Sequence, residues 1–289
     1  MTLDLLIGIS TILACSLLAF LYIVGSPKPN QRFLFSSVLF LTLGFVSFFA
    51  GKLAWARLIP SEHVIFAANL APLLLSIAAG LSLRSSQIRR VIRPIAALMF
   101  LAVAMIHAVV PYCRPILYPV ELSQQTVWSN DYCLQSHASS CAPAAAVTLL
   151  KLNGVTYSER ELADWCLTSE KGTDSLGLYR GLARAVNSTA IKPQVAPVDP
   201  SEWVQSAAVP NISLVWLGKP TSVIPQIKLY GSKSFRIGFR GEGHAVVVLG
   251  RSKSGGWRIL DPAFGETIWT DQQMQDRYTG ESIYLAKQN

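Results

Sequence analysis

Hydrophobic positions fall along this chain in two regimes. Up to about residue 112 they form four long blocks, at roughly 3–25, 33–51, 64–83 and 92–112. Each approaches the ~20 apolar residues that a helix needs to cross a ~30 Å hydrocarbon core. The pattern predicts an all-α region of four transmembrane helices. Beyond about residue 120 the blocks shorten and polar turns separate them, which predicts one folded domain of alternating helices and strands. Residues 1–114 are therefore read as a four-span membrane anchor and 115–289 as a single domain.

Within that domain the punctuation is specific. Residues 141–153 (CAPAAAVTLLKLN) are expected to be helical, with Pro143 in the first turn, small Ala residues following and Gly154 just past the end. Ser158 with Glu161 spells a capping box, and Asp199-Pro200-Ser201-Glu202 and Thr270 with Gln273 are expected to open two further helices. Residues 173–187 are expected to be helical as well. Apolar, β-branched runs at 211–217, 244–250, 257–261, 266–269 and 282–286 read as closely spaced strands, hence an antiparallel sheet. Helices first and sheet second make an α+β domain.

Composition sharpens the membrane reading. The chain is 51% hydrophobic and 15% charged, against the ~25% charged residues of ordinary soluble domains. MTLDLL has no Lys or Arg ahead of its apolar run, so the first block is read as a span and not as a cleaved signal peptide. Residues 1–120 carry nine Lys and Arg against two acidic side chains, whereas 121–289 carry 16 against 15. The pI near 9.4 thus reflects cations flanking membrane spans, and nucleic acid is excluded as a partner. Loops one and three hold Lys28, Arg32, Arg84, Arg89, Arg90 and Arg93; the opposite side holds Lys52, Arg57 and Arg114. The positive-inside rule then predicts a multi-pass plasma-membrane protein with both termini, and the domain, outside the cytoplasm.

Chemistry concentrates around Cys141. A cysteine nucleophile acts as its thiolate, which a helix N-terminus and an adjacent imidazolium both favour. Cys141 opens the helix expected at 141–153. Among four histidines, His63 and His107 fall in or beside spans and His137 lies close before Cys141, which leaves His244, at a strand start in GEGHAVVVLG, as the partner. Asp261 ends the strand WRILD ahead of Pro262, where its carboxylate can orient an imidazole. Gln135, six residues before Cys141, has an amide able to donate to an oxyanion together with a backbone N–H at the helix start.

Gln-x5-Cys opening a helix, a later Gly-His before an apolar strand and then Asp-Pro-x-x-Gly together resemble the bacteriocin-processing, double-glycine cysteine peptidases of the papain-like superfamily. The resemblance spans about 130–285 in three blocks: QSHASSCAPAAAVTLLKLNG, SERELADWCLTSEKGTDSLGLYRGLARAVN and GHAVVVLGRSKSGGWRILDPAFGETIWTDQQMQDRYTG. It implies a papain-like fold, Cys141 as nucleophile, His244 as general base and acid, Asp261 orienting His244, and Gln135 in the oxyanion hole. It further implies cleavage after Gly-Gly-like small residues in an exported polypeptide, with secretion machinery as a candidate partner and no metal or organic cofactor. The chain departs from the family at Ala142, where Gly usually follows the nucleophile, at Ser140, where an acidic residue is common, and in carrying no transporter or ATP-binding portion.

Other readings stand beside this one. Cys133-x3-His137-x3-Cys141, with Cys166, supplies four zinc-type ligands at an unfamiliar spacing. An extracytoplasmic domain is also expected to hold a disulfide among Cys113, Cys133 and Cys166. Trp203, Trp216, Trp257 and Trp269 are expected in the core. The functional alternatives are a peptide-binding module that cleaves nothing, and an amidase or acyl-transferring relative using the same thiol.

Overall fold

The computed structural model describes residues 2–26, 31–85, 88–218 and 242–288. The chain divides into two compact units, Met1–Pro119 and Val120–Asn289.

The first unit is helical: α1 (Leu3–Gly25), α2 (Gln31–Phe48), α3 (Trp55–Leu58), α4 (Val64–Ala67), α5 (Ala71–Arg84) and α6 (Ile92–Leu117). Among the described residues three stretches are long and apolar enough to cross a membrane: Leu3–Gly25, Val64–Arg84 and Ile92–Leu117, of 23, 21 and 26 residues. The second predicted block yields only the shorter apolar helix Phe33–Phe48, and the chain turns beyond it at Gly51, whose φ of +70° suits a residue without Cβ. Large apolar side chains such as Leu18, Phe40 and Leu98 point outward. Ala78 and Leu81 of α5 are buried against Phe35 and Leu39 of α2 and Phe100 of α6.

The third stretch is interrupted at 68–70, and Pro72 restarts it as α5. Asn69 braces the break from within: its Nδ2 donates to the His107 carbonyl at 2.9 Å and to the Tyr112 hydroxyl at 3.3 Å, and that hydroxyl donates to the Ile65 carbonyl at 2.9 Å. A polar side chain re-satisfies backbone groups that lipid could not.

The second unit begins with a hairpin, β1 (Val127–Ser129) and β2 (Tyr132–Leu134), followed by α7 (Cys141–Leu152), α8 (Glu159–Trp165) and α9 (Ser175–Ala185). There follow β3 (Ile191–Val195), a 3₁₀ turn at Pro200–Glu202, β4 (Asn211–Leu217), β5 (Glu242–Arg251), β6 (Trp257–Asp261), β7 (Gly265–Trp269), α10 (Asp271–Arg277) and β8 (Tyr278–Lys287). The described strands β3 to β8 form one six-stranded sheet ordered β3-β8-β4-β5-β6-β7, with every pairing antiparallel. Helices lead and sheet follows, the expected α+β order.

Helix α7 is buried from Ala142 to Leu150. Its Ala144, Ala145 and Ala146 are wholly inaccessible, because small side chains allow the helix to lie close against its neighbours. Trp203, Trp257 and Trp269 join Val215, Val246, Val248 and Ile259 in one core cluster, and Trp216 remains partly exposed at 38%. Both expected capping boxes form, Ser158 with Glu161 and Thr270 with Gln273.

Three features differ from expectation. Asp199 opens a single 3₁₀ turn and no α-helix; its Oδ1 accepts from the Ser201 N–H and hydroxyl, two residues on. Strand β3 was not visible in the pattern because IKPQV alternates weakly and contains Pro193, which an edge strand tolerates. The expected disulfide is absent: all five cysteines are free. The Cys133 Sγ donates to the Leu134 carbonyl at 3.4 Å, whereas the Cys166 Sγ stands against Gly181 of α9, so the two thiols face different neighbours.

Candidate active site

Cys141 is the first residue of α7 and follows Ser140, whose backbone is not yet helical (φ −104°, ψ 17°). The first amides of a helix have no carbonyl one turn back to bond. Pro143 has no amide at all, which leaves the N–H groups of Cys141 and Ala142 at this terminus. Ser140 makes no cap; its buried hydroxyl donates to the His137 carbonyl at 2.8 Å and accepts from the His137 N–H at 3.1 Å. The segment before Cys141 is thereby folded back on itself.

His244 comes from β5, opposite Val215 of β4. In the β5–β6 ladder Val247 pairs with Leu260, so Asp261 falls one step further along, on the sheet face that His244 shares through the two-residue period. The His244 Nε2 and Asp261 Oδ1 are 2.8 Å apart, with side chains only 7% and 4% exposed. The same Oδ1 accepts from the Ala263 and Phe264 N–H groups at 2.9 and 3.3 Å. A carboxylate fixed by two amides fixes the ring in turn.

Cys141 also acts on the imidazole, its sulfur favouring the charged ring. Burial disfavours the charged ring, yet the hydrogen bonds to Asp261 and Cys141 and their charges outweigh it, raising the His244 pKa from 6.5 to about 9. An imidazolium beside a sulfur favours the thiolate, the species that attacks carbonyl carbon. Cys133 and Cys166, by contrast, are pushed up to about 12 by burial, which keeps them protonated and inert.

Gln135 follows β2. Its backbone N–H donates to the Pro262 carbonyl at 2.9 Å, tying this loop to the turn that carries Asp261. Its Nε2 donates to the carbonyls of His137 and Ala138 at 3.1 and 3.4 Å, while its Oε1 is buried without a partner. Residues 134–138 and Pro262–Ala263 line an open groove of about 330 Å³. The structure thus brings Cys141, His244 and Asp261 together and sets Gln135 at the groove with its amide turned onto its own loop.

The zinc-type inventory does not gather. Cys133 is buried and Cys141 faces His244, and among the described residues no three His, Cys, Asp or Glu side chains cluster. One residue was not singled out from the sequence: Glu159, buried with only 1% exposure, accepts the Ser136 N–H at 3.0 Å. Its neighbours Ser158 and Glu161 carry the capping signal, which masks a second acidic residue with a different task.

No protein family matches the chain, and no curated protein does. Among solved structures, the peptidase domain of Streptococcus ComA, a bi-functional ABC transporter involved in a quorum-sensing pathway, is 22% identical, covering 55% of this chain and 100% of that one at a TM-score of 0.41. A double glycine motif protease from an AMS/PCAT transporter, in complex with the leader peptide, is 15% identical over 57% of this chain and 96% of that one, also at 0.41. The peptidase domain of Streptococcus mutans ComA is 19% identical over 54% and 98%, at 0.36. At such scores these likenesses carry no weight beyond themselves, and the chemistry rests on the side chains.

Proposed function

We propose that residues 120–289 are a papain-like cysteine peptidase held at the plasma membrane by the helical first unit. The carrying observation is the buried His244 Nε2–Asp261 Oδ1 contact of 2.8 Å on a ring whose other partner is Cys141. Cys141 Sγ attacks the scissile carbonyl carbon; the carbon–sulfur bond forms and the carbonyl electrons move to oxygen. The oxyanion is met by a backbone N–H at the start of α7 and by the Gln135 amide after a rotation away from the His137 carbonyl. His244 then gives its proton to the leaving amine as the carbon–nitrogen bond breaks. Water, deprotonated by His244, releases the acyl group and returns the thiolate.

The resemblance read from the sequence supplies the substrate class, a secreted or membrane-delivered precursor cut after Gly-Gly-like small residues. If the shorter apolar helix Phe33–Phe48 is counted as a span the total is four, and the positive-inside bias then supports the peptidase outside the cytoplasm, so that leader removal accompanies or follows export. The test is cleavage of a Gly-Gly-containing reporter peptide by the detergent-purified full chain. Cys141→Ser and His244→Ala should each abolish it while leaving the melting transition in place; activity surviving in Cys141→Ser would remove the mechanism. Reporter fusions after residue 119 test the topology independently, with alkaline phosphatase activity expected.

A further inference from the structure

We propose that Glu159 is a positioning residue for the peptidase reaction: its buried carboxylate holds the Gln135–Ser140 loop so that the Gln135 amide can reach the oxyanion. The inference rests on the peptidase reading above and names a residue outside the Cys141, His244, Asp261 and Gln135 set.

Glu159 is 1% exposed; Oε1 accepts from the Ser136 N–H at 3.0 Å, and Oε2 is buried with no hydrogen-bond partner. A carboxylate taken out of water and only half satisfied is expensive for a fold. Helix α8 does not require it, because Ser158 and Glu161 already complete its capping box. A side chain that helix stability would place in solvent is instead spent on one backbone amide.

That amide belongs to the residue after Gln135. Three consecutive N–H groups are pinned, two of them to distant parts of the domain and one within the loop: Gln135 to the Pro262 carbonyl at 2.9 Å, Ser136 to Glu159 at 3.0 Å, and His137 to Ser140 Oγ at 3.1 Å. The Gln135 Cα lies between the first two pins, so the root of its side chain is fixed from both directions. What remains free is rotation of the side chain, the motion that takes its amide from the His137 carbonyl to an oxyanion. Of the three acceptors only Glu159 is formally charged, and charge-assisted bonds are the strongest of their kind. The Glu159 carboxylate also adds to burial in raising the Cys133 thiol, so its charge is felt within this wall of the domain. Donors held in place before charge develops are what makes an oxyanion site effective.

The experiment uses the full chain in detergent with two probes of Cys141. A peptide aldehyde ending in Gly-Gly adds Cys141 Sγ to its carbonyl carbon; the carbonyl π bond becomes the hemithioacetal oxygen, which takes the thiol proton through His244 and occupies the oxyanion position. Iodoacetamide alkylates the same sulfur with loss of iodide and forms no oxyanion. Glu159→Ala should weaken aldehyde inhibition by about tenfold or more while leaving the alkylation rate unchanged. Glu159→Gln keeps an acceptor for the Ser136 N–H and should recover most of the loss. If Glu159→Ala does not fold, Glu159→Asp, one methylene short, takes its place with the same expectation. Equal aldehyde inhibition across variants, or parallel loss of both probes, would overturn the positioning role alone. Failure of the wild-type chain to bind the aldehyde would overturn the peptidase reading with it.

Discussion

The backbone N–H of Gln135 lies 2.9 Å from the carbonyl of Pro262, which joins the loop before Cys141 to the turn after Asp261. The same turn holds the Asp261 carboxylate through the amides of Ala263 and Phe264. Two parts of the site far apart in sequence therefore share one mechanical element. Asp261→Ala should leave those amides unsatisfied and the imidazole unoriented, lowering kcat by about 10²-fold. The loss should be mainly in kcat, measured on a Gly-Gly reporter peptide, since Asp261 is buried away from the groove.

Thiol reactivity separates the cysteines by environment. Cys141 has an imidazole partner, whereas Cys133 and Cys166 are inaccessible and pushed up to about 12. Iodoacetamide at pH 7, read by peptide mass, should modify Cys141 well before either, and His244→Ala should slow Cys141 alone. Because all five thiols are free, denaturation without reductant should make every one of them titratable with a thiol reagent. A shortfall of two would restore the disulfide.

How much of this was legible beforehand follows from the range of each interaction. Capping boxes, the Pro143 helix start and the apolar blocks depend on residues within one turn of each other, so they stand in the sequence. Gln135, Cys141, His244 and Asp261 carried recognisable chemistry at recognisable positions. Strand β3 did not, because IKPQV becomes a strand only by pairing with β8, as in Pro193 opposite Leu285. Glu159 was hidden for a similar reason: its partner, the Ser136 amide, lies 23 residues back, and no local pattern reports a side chain bonding a distant backbone. The break at 68–70 in the third apolar stretch is likewise absent from the local pattern, since Asn69 needs His107 and Tyr112 beside it to bond.

Helix α9 approaches the end of α8 closely enough that glycine is required at two positions one turn apart. A Cβ on Gly181 would run into Cys166 Sγ and lie 3.1 Å from the Cys166 amide nitrogen; one on Gly177 would meet the Cys166 carbonyl oxygen. Gly181→Ala should destabilise the domain by about 1–3 kcal/mol through overpacking. Cys166→Ala should return part of that loss by removing the sulfur, whereas it should not rescue Gly177→Ala, whose obstacle is backbone. Chemical denaturation of the single and double variants measures the coupling.

The last expectation concerns pH and follows from His244. Its pKa is 6.5 in an ordinary setting and about 9 here, raised against the effect of burial by hydrogen bonds to Asp261 and Cys141 and by their charges. A folded state that holds a proton more tightly than the unfolded state gains stability only where that proton is bound. Below about pH 6.5 both states are protonated and the contribution is complete. Between 6.5 and about 9 the unfolded chain has released the proton and the folded one has not, so stability falls as pH rises; above about 9 the contribution is gone. For a side chain 7% exposed, a shift of this size is on the order of 3 kcal/mol. Urea denaturation of the wild-type chain at pH 6.5 and pH 9 should show a decline of that order, and His244→Gln should flatten it. A wild-type profile equally flat across this window would mean that the imidazole is not held charged by Asp261 and Cys141, and the acid step assigned to His244 would lose its basis.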